Sequence, residues 1–241
     1  TAAGMEAAAL RSLDLMASHG TLLAEAKSGY GLTTTLEIRM LRALQRLETN
    51  VAVVPTCLGA HAVPPEWSAD PDGYLAQVCG ELLPEVARHK LAEFADIYCD
   101  AAAFSAEQAA RYFEAATRLG FGLKIHASQF ANTGAVELAV KWGAVSADHL
   151  EAIEESDAEL LARSDTIAVL LPASVLHLGL NRYAPARQLI DSGAAVALAT
   201  DFNPGSSPTP SLPLVMSLAC AQMRMTPAEA ITAVTVNAAA A

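Results

Sequence analysis

The sequence predicts an α/β protein of the (β/α)8-barrel type, like the TIM barrel, and three observations carry this prediction. Short apolar segments alternate with segments of helical periodicity, which indicates a parallel sheet with crossover helices. Several apolar segments end in His or Asp just before a loop, where barrels carry their active sites. The GxGxxG signature of dinucleotide-binding open sheets is absent from the sequence.

Size and composition indicate one domain over residues 1–241 with a full hydrophobic core, since 53% of the residues are hydrophobic. The net charge of −11 argues against nucleic acid or an anionic membrane as a partner. The sequence contains no apolar run of the roughly 20 residues that a membrane span needs. The cysteines form no CxxC pair, which predicts free thiols in a reducing cytoplasm: Cys57, Cys79, Cys99 and Cys220.

Seven segments have the composition of buried strands. They cover residues 21–26, 50–56, 96–99, 122–127, 143–149, 166–171 and 194–200. Because a closed barrel of this type has eight strands, we expect the first strand to lie upstream of Thr1.

Helical periodicity fills the intervals between the strands. It predicts helices up to Gly20 and over residues 33–47, 72–89, 105–119, 134–141, 157–163 and 184–192, with one or two more over 213–241. Pro84 predicts a break in the third helix. Ser105 and Gln108 have the spacing of a capping box. We expect the acidic run at 151–155 to be a solvated helix start, and Pro172 to close the sixth strand.

Polar side chains that could perform chemistry follow the predicted strands: Lys27, Tyr30, His61, His126, Gln129, His149, Asp201 and Asn203. A single His at such a place is more often structural. Three His and an Asp on one rim instead suggest a metal site, because imidazole and carboxylate suit Zn²⁺ or Fe²⁺. Asp201 taken alone could equally cap the next helix.

Six stretches carry a resemblance to a known family. They are KSGYGL at 27–32, LGAHAVPPE at 58–66, KIHASQF at 124–130, SADHLE at 146–151, VLLPAS at 169–174 and TDFNPGSSPTPSL at 200–212. Through these motifs the chain closely resembles the imidazolonepropionases of the amidohydrolase superfamily. The resemblance implies a cytoplasmic hydrolase that uses one Zn or Fe ion, and it suggests a homodimer. Such an enzyme opens the ring of 4-imidazolone-5-propanoate to N-formimino-L-glutamate in histidine degradation.

The resemblance also implies roles for individual residues. His126 and Asp201 would be metal ligands, with Asp201 also the proton shuttle and His149 the catalytic residue that stabilises the attacked carbonyl. Gln129 lies where the family carries Glu or Gln and would orient the substrate or the water. The substrate-binding residues would be Tyr30, His61, Asn203, Gly205 and Ser206.

The chain departs from the family pattern in one respect. The HxH motif and the Arg of the family's first barrel strand are missing, as is its β-rich terminal domain. We therefore expect this chain alone to bind metal weakly and to show little turnover. Three alternatives stay open: another cyclic amidohydrolase or nucleobase aminohydrolase of the superfamily, an inactive barrel fragment, and a barrel that binds phosphate at residues 205–207.

Overall fold

A computed structural model describes residues 2–101 and 103–241. Its centre is one parallel sheet in which each strand pairs with the next one along the chain. The strands are β1 (Leu23–Lys27), β2 (Ala52–Ala60), β3 (Phe94–Cys99), β4 (Gly122–Ala127), β5 (Ser146–His149), β6 (Ile167–Leu170) and β7 (Val196–Leu198). The predicted α/β fold with seven parallel strands is therefore confirmed. β1 and β7 are the two edges of this sheet.

Helices connect the strands and pack against the sheet. They are α1 (Ala2–Ser18), α2 (Thr34–Leu44), α3 (Pro71–Gln77), α4 (Leu83–His89), α5 (Ala106–Arg118), α6 (Ala135–Trp142), α7 (Glu155–Ala162), α8 (Pro172–His177), α9 (Ala186–Ser192), α10 (Leu212–Gln222), α11 (Pro227–Val234) and α12 (Val236–Ala240). The predicted capping box of Ser105 and Gln108 is present at α5. None of these helices is long and apolar enough to cross a bilayer.

The main core lies between the outer face of the sheet and the helices. Ile97 of β3 and Ile125 of β4 are fully buried there together with Tyr112 and Phe113 of α5. Because side chains alternate between the two faces of a strand, the neighbours of these isoleucines point to the inner face.

The inner face of the sheet carries ionisable side chains on β3, β4 and β5. The strand register places Asp96 beside Lys124, and His126 beside Asp148. All four are buried. On β6 and β7 the inner face is apolar and packs against α12, whose Asn237 donates a hydrogen bond to the carbonyl of Val196 at the edge of β7. The ionisable side chains on the inner face of β3, β4 and β5 lie beneath the candidate site.

Proline residues explain two differences from the predicted elements. The predicted helix over 72–89 is divided by a π-type turn at Val78–Leu82, and α4 restarts with Pro84 in its first turn, where no N–H is needed. Pro172 closes β6 as expected but also begins α8, a helix that the sequence analysis missed. His177 consequently lies in the last turn of α8 and not in a loop.

The acidic run at 151–155 was expected to be a solvated helix start, which is confirmed for two of its three acidic residues. Glu154 and Glu155 are exposed, and α7 begins at Glu155 after a capping box formed by Glu154 and Asp157. The expectation is wrong for Glu151, which is buried, with only 3% of its surface exposed. Glu151 lies before the helix, beside His149.

The fully buried Ile125 gives a direct test of this packing. Ile125→Ala should lower the free energy of unfolding by about 2–5 kcal/mol, because the surrounding core cannot close the resulting cavity completely. Urea unfolding measures the change. Ile231→Ala, on the exposed side of α11, is the matched control and should leave stability nearly unchanged; equal losses in the two variants would contradict the observed packing.

Candidate metal centre and active site

The carboxyl ends of the strands bring the predicted histidines together. The ring of His126 lies 5.4 Å from that of His149 and 6.4 Å from that of His61, measured between centroids. The ring of Tyr98 lies 5.8 Å from His126 and 6.0 Å from His61. Residues far apart in the sequence therefore form one cluster, as expected for the rim of a barrel, while their individual roles stay predictions.

His126 is held by a carboxylate that the sequence analysis missed. Its Nδ1 lies 3.2 Å from Asp96 Oδ1, and both side chains are buried. Burial opposes a charge on the ring, but the carboxylate of Asp96 outweighs it and raises the pKa of His126. A carboxylate on one ring nitrogen leaves Nε2 available, which is the arrangement that metal-binding histidines commonly have.

Lys27 of β1 forms the centre of the ionic network beneath His126. Its Nζ lies 2.7 Å from Asp96 Oδ2, 3.2 Å from Asp148 Oδ2 and 3.0 Å from Glu25 Oε1. Glu25 in turn pairs with Lys124, at 3.1 Å. The network crosses the inner face from the edge strand β1 to β5. It ties together strands that do not pair directly.

Asp96, His126 and Asp148 offer ligand atoms within 4.8 Å of one another and could hold a metal ion as a group. The ammonium of Lys27 already donates hydrogen bonds to both carboxylates. This arrangement favours a supporting role for the two aspartates, with the metal above them at the rim. One signal in the sequence could have pointed to an ionic inner face of the sheet. Charged residues occur at every second position of otherwise apolar strands, as in Glu25/Lys27 and Lys124/His126.

Asp201 follows β7 in a loop built of side-chain hydrogen bonds. Its Oδ2 accepts from Ser174 Oγ at 2.6 Å and from Ser206 Oγ at 3.3 Å. It does not cap the next helix, because Ser211 caps α10. Partial burial, and then the charge of Asp201, raise the pKa of Tyr30.

Asn203 organises the rest of this loop. Its Oδ1 accepts hydrogen bonds from the backbone N–H groups of Gly205 and Ser206, each at 2.8 Å. A phosphate at residues 205–207 would need those same N–H groups. Their use within the loop argues against the phosphate-binding alternative.

His149 ends β5 in an unusual backbone conformation. Both His149 and Leu150 have positive φ, 82° and 70°. The Nδ1 atom of His149 and the Oε2 atom of Glu151 are buried, have no hydrogen-bond partner and lie 3.8 Å apart. Backbone strain and unpartnered buried polar atoms both concentrate at functional sites.

Gln129 and His61 have defined hydrogen bonds. Gln129 Oε1 accepts from the hydroxyl of Tyr98 at 2.8 Å, which orients its amide. His61 Nδ1 lies 3.3 Å from the carbonyl of Gly29, and since a carbonyl only accepts, Nδ1 carries the proton. Burial, and then the neighbouring His126, lower the pKa of His61 and favour its neutral form, whose Nε2 is an acceptor.

Two of the predicted site residues have the chemistry that a divalent transition metal needs. The imidazole of His126 and the carboxylate of Asp201 are ligand types that Zn²⁺ and Fe²⁺ take. The Asp96 contact to Nδ1 of His126, which leaves Nε2 for coordination, is the structural observation that supports the fit. Cys57, by contrast, is buried in the core with the pKa of its thiol raised to about 12, which excludes it as a neutral-pH nucleophile.

Comparison with known proteins identifies relatives of this chain. Imidazolonepropionase from Geobacillus thermodenitrificans is 51% identical over 231 residues, which is 95% of this chain and 54% of that protein. Imidazolonepropionase from Thermoanaerobacter pseudethanolicus is 48% identical over 235 residues, 97% of this chain and 56% of that protein. The chain is a homologue of the imidazolonepropionases. It spans about half the length of these curated relatives. No family model matches it.

Solved structures agree on the fold. A zinc-bound adenosine deaminase from Xanthomonas campestris superimposes with a TM-score of 0.72 over 98% of this chain and 56% of that one, at 17% identity. A guanine deaminase from C. acetobutylicum gives 0.73 over 100% and 63%, at 14% identity. At such identities the likeness shows the fold alone, an α/β fold of the TIM-barrel type, as the imidazolonepropionase resemblance implied.

Lys27 tests the ionic network. Lys27→Met removes the cation that lies between Asp96 and Asp148 and should destabilise the protein by about 3–5 kcal/mol in urea unfolding. Lys141→Met, at an exposed position of α6, is the matched control and should change stability by less than about 0.5 kcal/mol. A loss of the same small size in both variants would contradict the central place of Lys27.

The response to acid follows from the same network. Burial raises the pKa of Asp96 and Asp148, but nearby positive charges, Lys27 and His126 among them, outweigh it and lower both values. The stability that these carboxylates contribute is therefore present above their unfolded pKa of about 3.9 and is lost as the pH falls through the lower folded pKa. We expect the unfolding free energy to fall below about pH 4, and to fall less steeply in Lys27→Met than in Lys141→Met. Equal slopes in the two variants would contradict this expectation.

Proposed function

We propose that the protein carrying this chain is a metal-dependent hydrolase that opens 4-imidazolone-5-propanoate to N-formimino-L-glutamate. The observation that supports this most is the cluster of His61, His126 and His149 at one rim, in a chain about half identical to imidazolonepropionases. The reaction adds water to the ring carbonyl and breaks its bond to the ring nitrogen. One side chain must therefore move a proton between the water and that nitrogen.

His126 and Asp201 are the proposed ligands of one divalent ion, Zn²⁺ or Fe²⁺. When bound, the metal supplies Lewis-acid polarisation and lowers the pKa of a coordinated water towards neutrality. Asp96 contributes by fixing the His126 ring through Nδ1, so that Nε2 is the atom presented for coordination. This places the ionic network of the inner face directly in support of metal binding.

Asp201 is the proposed proton shuttle. Its carboxylate takes the proton of the attacking water and returns it to the departing ring nitrogen, as a general base and then a general acid. Hydrogen bonds from Ser174 and Ser206 hold Oδ2, which leaves Oδ1 for the proton. Gln129 has an amide and cannot take this role.

His149 is the residue proposed to stabilise the negative charge that develops on the attacked carbonyl. Its position at the end of β5, beside His126, is fixed by the left-handed turn at His149 and Leu150. Gln129, oriented by the Tyr98 hydroxyl, is proposed to position the substrate or the water. Gln129 follows β4 and His149 ends β5, so the two residues lie at the ends of consecutive strands.

Substrate recognition is assigned to the loops after β1, β2 and β7. Tyr30 contacts His61 edge to face, with 5.2 Å between centroids. His61 Nε2 is the acceptor for an N–H group of the substrate ring, because Nδ1 is held by the Gly29 carbonyl. The loop after β7 supplies the remaining proposed substrate contacts, from Asn203, Gly205 and Ser206.

The proton shuttle is tested by Asp201→Asn in the full-length protein. Removal of a general acid–base group should lower kcat by at least about 10²–10⁴-fold while the circular dichroism spectrum is retained. Asp165→Asn, an exposed position, is the matched control and should keep full activity. Near-normal turnover in Asp201→Asn would overturn the assignment. Parallel assays with guanine, cytosine and hydantoin test the substrate, and a preference for any of these would contradict the proposed reaction.

The metal assignment is tested by elemental analysis. His126→Ala should lose most of the bound Zn or Fe, whereas His19→Ala, at an exposed position, should retain it. Chelation should abolish wild-type turnover, and re-addition of the native metal should restore it. Full metal occupancy in His126→Ala would contradict the assignment.

A further inference from the structure

Glu37 of α2 carries a carboxylate that binds the loop between β1 and α2. Gly29 N–H donates to its Oε2 at 2.7 Å, and the N–H groups of Gly31 and Leu32 donate to its Oε1 at 2.5 and 3.0 Å. Only 1% of the Glu37 surface is exposed. No cation is paired with it among the described residues, so backbone N–H groups are the recorded partners of this buried carboxylate.

The loop needs this carboxylate because its backbone is strained and tightly packed. Leu32 has φ of 56°, a conformation that is unfavourable for a side chain of its kind. A Cβ on Gly31 would lie 2.7 Å from Glu37 N and 2.8 Å from Oε1, and a Cβ on Gly29 would lie 2.8 Å from the carbonyl of Leu58. The two glycines of KSGYGL thus accommodate Glu37 on one side and β2 on the other.

The same loop carries two groups of the candidate site. Tyr30 lies between the two clamped glycines and is 57% exposed at the rim. The carbonyl of Gly29, whose own N–H is held by Glu37, accepts the hydrogen bond that fixes the His61 tautomer. Glu37 therefore acts on Tyr30 and His61 through the backbone, without contact with the rim itself.

We propose that Glu37 is a positioning residue that holds the KSGYGL loop in the conformation that presents Tyr30 and keeps His61 protonated on Nδ1. Its link to substrate affinity rests on the proposed function, whereas its link to the loop and the tautomer does not. Gln is the informative replacement, because it keeps the size of Glu but has one acceptor oxygen and places an NH₂ group against a backbone N–H. The loop then loses at least one of its three hydrogen bonds.

The structural arm of the test is nuclear magnetic resonance on the full-length protein. In Glu37→Gln, the Nε2–H tautomer of His61 should become populated, and the amides of Gly29, Gly31 and Leu32 should exchange with solvent at least about tenfold faster. The amide of Ile125, in the core strand β4, should be unchanged and reports on global stability. Glu114→Gln, on the exposed side of α5, is the matched control and should behave as wild type.

The kinetic arm separates recognition from chemistry. Glu37→Gln should raise KM for imidazolone propionate by about tenfold or more and leave kcat and metal content within a few-fold of wild type, because Tyr30 and His61 bind substrate in the ground and transition states alike. Gly31→Ala disturbs the same contact from the loop side and should give the same pattern.

The outcomes are distinguishable. Unchanged tautomer, amide exchange and KM in both variants would overturn the proposal, as would a uniform loss of exchange protection that includes Ile125. If the wild-type protein does not hydrolyse imidazolone propionate, the proposed function fails. The tautomer and exchange measurements then still decide whether Glu37 holds the loop.

Discussion

The half-buried ammonium of Lys27, in contact with Asp96 and Asp148, is the interaction on which the rest of the structure depends. A parallel barrel normally fills its interior with branched apolar side chains. Here the inner faces of β1, β3, β4 and β5 carry charges, which are costly to bury without partners. The network lowers that cost by pairing each charge, and it also fixes where the strands lie relative to one another. An ionic interior of this kind trades some stability for a defined geometry at the rim.

Single hydrogen bonds orient two histidines at the rim. Lys27 holds Asp96, and Asp96 holds the ring of His126. On the other side of the site, Glu37 holds Gly29, and Gly29 holds the ring of His61. Two histidines of the rim are therefore oriented by carboxylates, His126 directly and His61 through a backbone carbonyl. Each ring has a defined nitrogen left for a ligand.

Strain is located where the chemistry is proposed. His149 and Asp201 both have positive φ, although neither is glycine. His149 is the last residue of β5, and Asp201 lies in the loop after β7. The surrounding hydrogen bonds, such as those from Ser174 and Ser206 to Asp201, hold this conformation in place.

The sequence by itself determined the strand order, the β/α alternation and the strand-end residues His61, His126, His149 and Asp201. These signals are local, since apolar runs, caps and turn residues are read within a few positions of one another. Only the tertiary structure decided that Lys27, Asp96 and Asp148 meet inside the barrel, that Glu37 binds the loop beside Tyr30, and that Glu151 is buried. Each of these contacts joins residues through the curvature of the sheet or the packing of a helix on a loop. No periodicity in the sequence encodes which buried charges will become partners, because that choice is made by the three-dimensional closure of the strands.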